Sequence, residues 1–104
     1  MKPIERLKKS NTVENLWMYV LALLETKPLY GWEIPDLIEK EFGFRPGKIT
    51  PYRVLYRLEI DKFVTSSVKE RRRIYEISAL GKKELLSATS LIIDLARQLN
   101  GKCQ

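Results

Sequence analysis

The chain has 104 residues, 44% of them hydrophobic, with one cysteine, no histidine and a formal net charge of +6. This suits one domain with a modest core, and it excludes a zinc site of the usual nitrogen and sulfur ligands and the commonest general base. No apolar run reaches the ~18 residues of a membrane span and no signal-peptide pattern opens the chain; the single Cys103 cannot close an internal disulfide and suits a reducing cytoplasm, the expected location.

Residues 1–11 read as a basic N-terminal arm, with Met1–Lys9 mobile. It reaches along a phosphate backbone or serves only as a solubilising tail. Thr12 is the expected N-cap of a first helix, with Glu14 in its first turn. Val13, Leu16, Trp17, Val20, Leu21, Leu23 and Leu24 make that helix apolar on most sides, more than a surface helix of a small domain needs. Part of it is therefore expected to meet a second copy, through Leu16 and Val20. Trp17 reads as packing or as the floor of a ligand pocket. Pro28 and Gly31 mark a break. A second helix follows over about Gly31–Phe42, with Ile34, Leu37, Ile38 and Phe42 as its stripe and Pro35 in its first turn. Gly43-Phe44-Arg45-Pro46-Gly47 is a turn.

Thr50-Pro51 reads as the start of a third helix, with Thr50 as cap and Pro51 at the first helical position. Val54, Leu55 and Leu58 form its apolar stripe. Tyr52 and Tyr56, and Arg53 and Arg57, each fall four apart on other faces. Taken alone, this is either an ordinary amphipathic helix or a reading helix. Phe63–Val68 and Arg73–Ser78 follow as two strands, with Val64, Val68, Tyr75 and Ile77 as the inward set. Between them lies Lys69-Glu70-Arg71-Arg72, continued by Arg73. Such a density of like charge costs stability at a hairpin tip and is better explained by an anionic partner than by solvation alone. From Ala79 a last helix runs to about Asn100. Leu85, Ile92 and Leu99 recur every seven residues, with Ala88, Leu95 and Ala96 between them, so this helix is expected to dimerise.

The charge is unevenly spread. Residues 1–47 hold 7 basic and 7 acidic groups, residues 84–104 hold 2 and 2, and residues 48–83 hold 10 and 4. The whole excess therefore sits on the third helix and the segment after it. That concentration marks a surface for a polyanion, with nucleic acid the default candidate. A lipid surface fits less well, because the cations do not line one long amphipathic helix. The acidic residues lie beside lysines in helix-like segments, as solvated faces do, and no catalytic constellation is nominated.

These readings give a mostly α fold with a small β-hairpin: a winged helix-turn-helix over 12–78 and a dimerisation helix over 79–104. Thr50, Tyr52 and Arg53 would lead into the major groove, where arginine can bind guanine through two hydrogen bonds. Arg57 and Lys48 would hold phosphates, and Lys69, Arg71, Arg72 and Arg73 would anchor the wing on the backbone or in the minor groove. Leu16, Val20, Leu85, Ile92, Leu95 and Leu99 would form the dimer interface. The expected partners are double-stranded DNA and a second copy, with no membrane, metal or cofactor. The alternatives are a winged-helix module whose basic wing meets an acidic protein, and an enzyme without an identifiable site.

Over about Thr12–Leu86 the chain resembles the PadR family of transcriptional regulators. The stretch TVENLWMYVLALLETKPLYGWEI is similar to the family's apolar first helix and its Tyr-Gly-aromatic-Glu-Ile turn, here Tyr30, Gly31, Trp32, Glu33 and Ile34. TPYRVLYRLEIDKFV is similar to its Thr-x-Tyr…Arg-Leu-Glu segment, through Thr50, Tyr52, Arg57, Leu58 and Glu59. RRRIYEISALGKKELL matches its wing return and last-helix start, through Arg72, Tyr75, Ile77, Gly81 and Leu85. Ile49 and Lys62 stand where the family commonly has glycine, and Arg53 where it has proline. The resemblance implies a dimeric winged-helix regulator, more often a repressor, with a possible small-molecule effector near the dimer interface. The last helix here carries no aromatic residue.

Overall fold

The apolar run starting at Leu16 forms the hub. In the computed structural model, which describes residues 1–101, it is helix α2, Leu16–Thr26. Helices on two sides and a strand pack around it, which is why it is apolar on most of its circumference. Leu16 and Val20 are only 1% and 0% exposed within the single chain. They are spent on the core, and the expectation that they face a second copy is corrected on that ground. Leu21, Leu23, Leu24, Leu29, Ile34, Ile38, Leu55, Leu58, Val64 and Tyr75 complete the cluster. Each large aliphatic side chain so buried contributes about 1.5–3 kcal/mol before the cost of ordering it.

The N-terminal arm is a helix, α1, over Pro3–Ser10, with no buried residue. Pro3 suits its first turn and Lys8 and Lys9 its last. Thr12 does not cap α2, whose flanking residue is Asn15. The Thr12 hydroxyl instead donates to the Lys8 carbonyl at 2.9 Å, closing the end of α1. The Tyr19 hydroxyl donates to the Asn11 carbonyl, and its ring meets Phe42 and Phe44 edge-on at 4.9 and 5.0 Å. Tyr19 thus ties the α1–α2 link to the far turn of the motif.

A two-residue strand, β1 (Leu29–Tyr30), precedes a 3-10 turn at Gly31–Glu33 and helix α3, Ile34–Phe42. The turn is held by the Glu33 carboxylate, which accepts the Tyr30 N–H at 2.8 Å. Gly43, at φ +80°, ends α3 in the left-handed region that glycine tolerates. Helix α4 spans Thr50–Ile60, with Ile49 at the cap position and no side-chain cap bond. Thr50 is therefore its first helical residue, so the helix starts one position earlier than the sequence suggests. Strands β2 (Val64–Lys69) and β3 (Arg72–Ile77) form the hairpin, and β1 adds to the other edge of β3, giving the order β1-β3-β2. Val64 and Tyr75 point into the core, but Val68 is 67% exposed. It pairs with Arg73 near the tip, where the ribbon has run past the body, so Val68 leaves the inward set.

Helix α5, Ala79–Gly101, is roughly 34 Å long at 1.5 Å per residue. Only its start packs on the core, with Gly81 buried and Leu85 half-buried. Beyond Ala88 every described residue of α5 is exposed. Cys103 lies outside the described residues.

Candidate nucleic-acid interface

Helix α4 is two-sided because its sequence is. Pro51, Leu55 and Leu58 are buried against the body, whereas Tyr52, Arg53, Tyr56 and Arg57 face solvent. Lys48, just before the helix, is exposed and Thr50 half-buried. The positive end of the helix dipole lies at this same terminus.

The wing tip is a two-residue turn. Lys69 pairs with Arg72, and the intervening Glu70 and Arg71 both have positive φ, 53° and 64°. This is the turn whose twist matches a right-twisted ribbon, usually filled by Asn-Gly. Here non-glycine residues carry the strain while keeping Lys69, Arg71 and Arg72 at the tip.

Two contacts fix the wing against the helices. Arg73 Nη1 donates to Ser66 Oγ at 2.9 Å, and Ser66 Oγ donates to Glu59 Oε2 on α4 at 2.5 Å. On the opposite face of β3, the Arg72 guanidinium carbon lies 5.6 Å from the Trp32 ring centroid, a cation–π distance. Trp32 stacks in turn on Tyr30, with centroids 6.3 Å apart and planes at 16°. Gly31 lets the Tyr52 ring of α4 come close to the same turn: a Cβ there would stand 3.0 Å from that ring. Gly31, Trp32, Tyr52, Arg72, Arg73 and Tyr75 together line a cleft of about 190 Å³ between the turn before α3, the start of α4 and strand β3. Burial, and secondarily the Glu59 charge, raise the Tyr75 phenol above its ordinary value, so it stays neutral.

Tyr52, Arg72 and Arg73 are thus brought together. Lys69 and Arg71 project from the tip beyond them, both exposed. Arg57 is not part of this cleft. It pairs with Asp61 at 3.7 Å and opens onto a second groove of about 320 Å³, floored by Leu16, Trp17 and Phe63 and rimmed by Glu14, Asp61 and Glu84. Arg45 is held by Asp36 and Glu39 at 2.8 and 3.1 Å. Sequence reasoning assigned no site role to Trp32, Tyr30, Ser66 or Glu59. The available signal was the Tyr-Gly-Trp turn, which combines two aromatic rings with a glycine that allows close approach.

A search of curated proteins gives no significant match. Among solved structures, a PadR family regulator from Clostridium difficile matches with a TM-score of 0.73 and 22% identity, over 85% of this chain and 97% of that one. A PadR-like transcription factor from Bacteroides fragilis matches with a TM-score of 0.75 and 20% identity, over 96% and 98%. Bacillus subtilis PadR, solved in complex with operator DNA, matches with a TM-score of 0.63 and 26% identity, over 72% of this chain and 46% of that one. A family model of PadR-like transcriptional regulators matches residues 20–87, from within α2 through the wing to the start of α5. The chain belongs to the PadR-like family of transcriptional regulators.

Proposed function

We propose that the protein is a homodimeric repressor that binds double-stranded DNA in a sequence-specific manner, with the start of α4 in the major groove and the wing on the adjacent backbone or minor groove. One observation carries this reading: Tyr52 of the first turn of α4 and Arg72 and Arg73 of the wing line a single cleft, in the segment that holds all the net positive charge. Arg53 and Thr50 extend this surface toward base edges, and Lys48, Lys69 and Arg71 extend it along phosphates. Arg57 is a backbone contact at the far side of α4, available once it leaves Asp61. The solved relative on operator DNA supports the same partner class. The second copy is placed on distal α5, where Leu91, Ile92 and Leu95 are exposed together. Leu99 extends that face, and Leu85, half-buried, sits where it meets the core. So much aliphatic surface on one projecting helix is what a two-fold interface uses.

The test is binding to mixed-sequence duplex across a salt series. With ~6 phosphates neutralised, log K is expected to fall with log salt at a slope of roughly −5. No duplex binding at low salt, or a flat salt response, would instead favour a module whose wing meets an acidic protein.

A further inference from the structure

We propose that the cleft between the turn before α3, the start of α4 and strand β3 seats one phosphodiester of the DNA backbone, with Trp32 as the platform that holds Arg72 toward it. The proposal rests on the DNA-binding reading above and assigns a role to an element outside both the reading helix and the wing.

The lining has the chemistry of an anion seat. Arg72, Arg73, Tyr52, Tyr75, Trp32 and Gly31 line it, none of them acidic. The neighbouring groove beside Arg57 is the reverse, apolar with three carboxylates at its rim. The volume, about 190 Å³, is below the ~300–1,000 Å³ of typical small-molecule sites and suits a phosphate with part of its sugar.

The cations are also pre-positioned. Arg72 lies over the Trp32 ring at 5.6 Å, a cation–π contact that commits none of its N–H donors. Trp32 does not stand alone: it stacks on Tyr30. Tyr30 is fixed through its pairing with Ile74 of β3 and its N–H to the Glu33 carboxylate. Arg73 is steadied from the other face by Ser66, with one of its five N–H donors committed there. The Tyr52 ring lies close against Gly31, where an added Cβ would stand 3.0 Å from it. Arginines ordered before DNA arrives lose less freedom on binding than arginines on a bare loop. Because a phosphate carries no sequence, this seat acts equally on every duplex.

The experiment measures binding of the full chain to mixed-sequence duplex over a salt series, for wild type, Trp32→Ala, Trp32→Phe, Arg72→Ala and the Trp32→Ala/Arg72→Ala pair. Trp32 is 52% exposed, so its truncation should leave the fold intact, checked by circular dichroism. Trp32→Ala is expected to weaken binding about 5- to 10-fold at low salt and make the slope shallower by about 0.9, one phosphate contact. Trp32→Phe should retain most of the affinity. The double variant should bind like Arg72→Ala alone. Should the alanine variant not fold, Trp32→Phe against Trp32→Leu gives the same contrast of ring against plain apolar filler. An unchanged slope in Trp32→Ala, equal binding by the phenylalanine and leucine variants, or losses that multiply in the double variant would overturn the seat. Failure of the wild type to bind any duplex would overturn the function itself, so the two failures are distinguishable.

Discussion

Replacing Gly81 by alanine should destabilise the fold strongly, although the residue is helical and alanine is the better helix former. Gly81 sits in the first turn of α5, pressed onto the start of β2. An ideal Cβ there would stand 2.1 Å from the Phe63 carbonyl oxygen and 2.7 Å from Ile77 Cγ1, where real Cβ contacts essentially never fall under 3.0 Å. The start of α5 would have to retreat by roughly an ångström, as overpacked sites require. The same Phe63 oxygen accepts the Ser78 N–H at 3.0 Å. Ser78 Oγ donates to the Lys62 carbonyl at 2.7 Å and accepts the Gly81 N–H at 3.0 Å. A retreat stretches all three bonds. Overpacking costs about 1–3 kcal/mol and weakened hydrogen bonds roughly another 1–2, while alanine returns about 1 in helix propensity. The net is a loss of about 1–4 kcal/mol, or roughly 5–20 °C in melting midpoint. Urea unfolding followed by circular dichroism, at one fixed protomer concentration, reads it directly. Gly101→Ala is the control, since a Cβ there meets nothing within 4 Å. If Gly81→Ala unfolds within about 0.5 kcal/mol of wild type, the steric reasoning is wrong.

Two further substitutions test local claims. Lys62 ends α4 at φ 67°, with its N–H on the Glu59 carbonyl at 3.0 Å and the Phe63 N–H on the Leu58 carbonyl at 2.9 Å, a left-handed helix stop that favours glycine. Lys62→Gly should therefore stabilise by about 0.5–1 kcal/mol in the same urea assay, after the extra freedom glycine gives the unfolded chain; a loss would show that the lysine side chain holds the turn. For Tyr75, the folded state binds the phenolic proton more tightly than the unfolded state, because burial and then Glu59 raise its pKa from 10.0. The stability this group contributes is complete below pH 10 and lost as pH rises through the folded value. Alkaline absorbance titration should show a late phenolate step that Tyr75→Phe removes, and its persistence in that variant would refute the assignment.

Much of the architecture was legible because it rests on periodicity. The stripe of Ile34, Leu37 and Ile38, the inward Leu55 and Leu58 beside outward Tyr52 and Arg53, and the two strands either side of a charged tip follow from side-chain spacing. What failed depended on tertiary context. Leu16 and Val20 looked surplus because a sequence does not say how many neighbours surround a helix, and here α2 is enclosed by several. Val68 has the alternation of an inward residue but lies beyond the end of the body. Thr12 has the chemistry of an N-cap and uses it backward, on α1. β1 is two residues long, too short for any period, and its pairing with β3 sets the stage for Trp32 to meet Arg72 from far along the chain. The glycine-like backbone at Lys62 does not show in the lysine itself; its one sign is that the resembled family commonly has glycine there.

In the function proposed above, α4 and the wing form one reading surface, presented twice by a two-fold dimer. Selection of bound sites from a pool of random duplexes tests it most directly, because the recovered sequences report both base reading and symmetry. The expected outcome is an inverted repeat whose half-sites are centred about 10–10.5 base pairs apart, or roughly 34–36 Å. A pool that shows no enrichment, or a single motif without inverted symmetry, would contradict it.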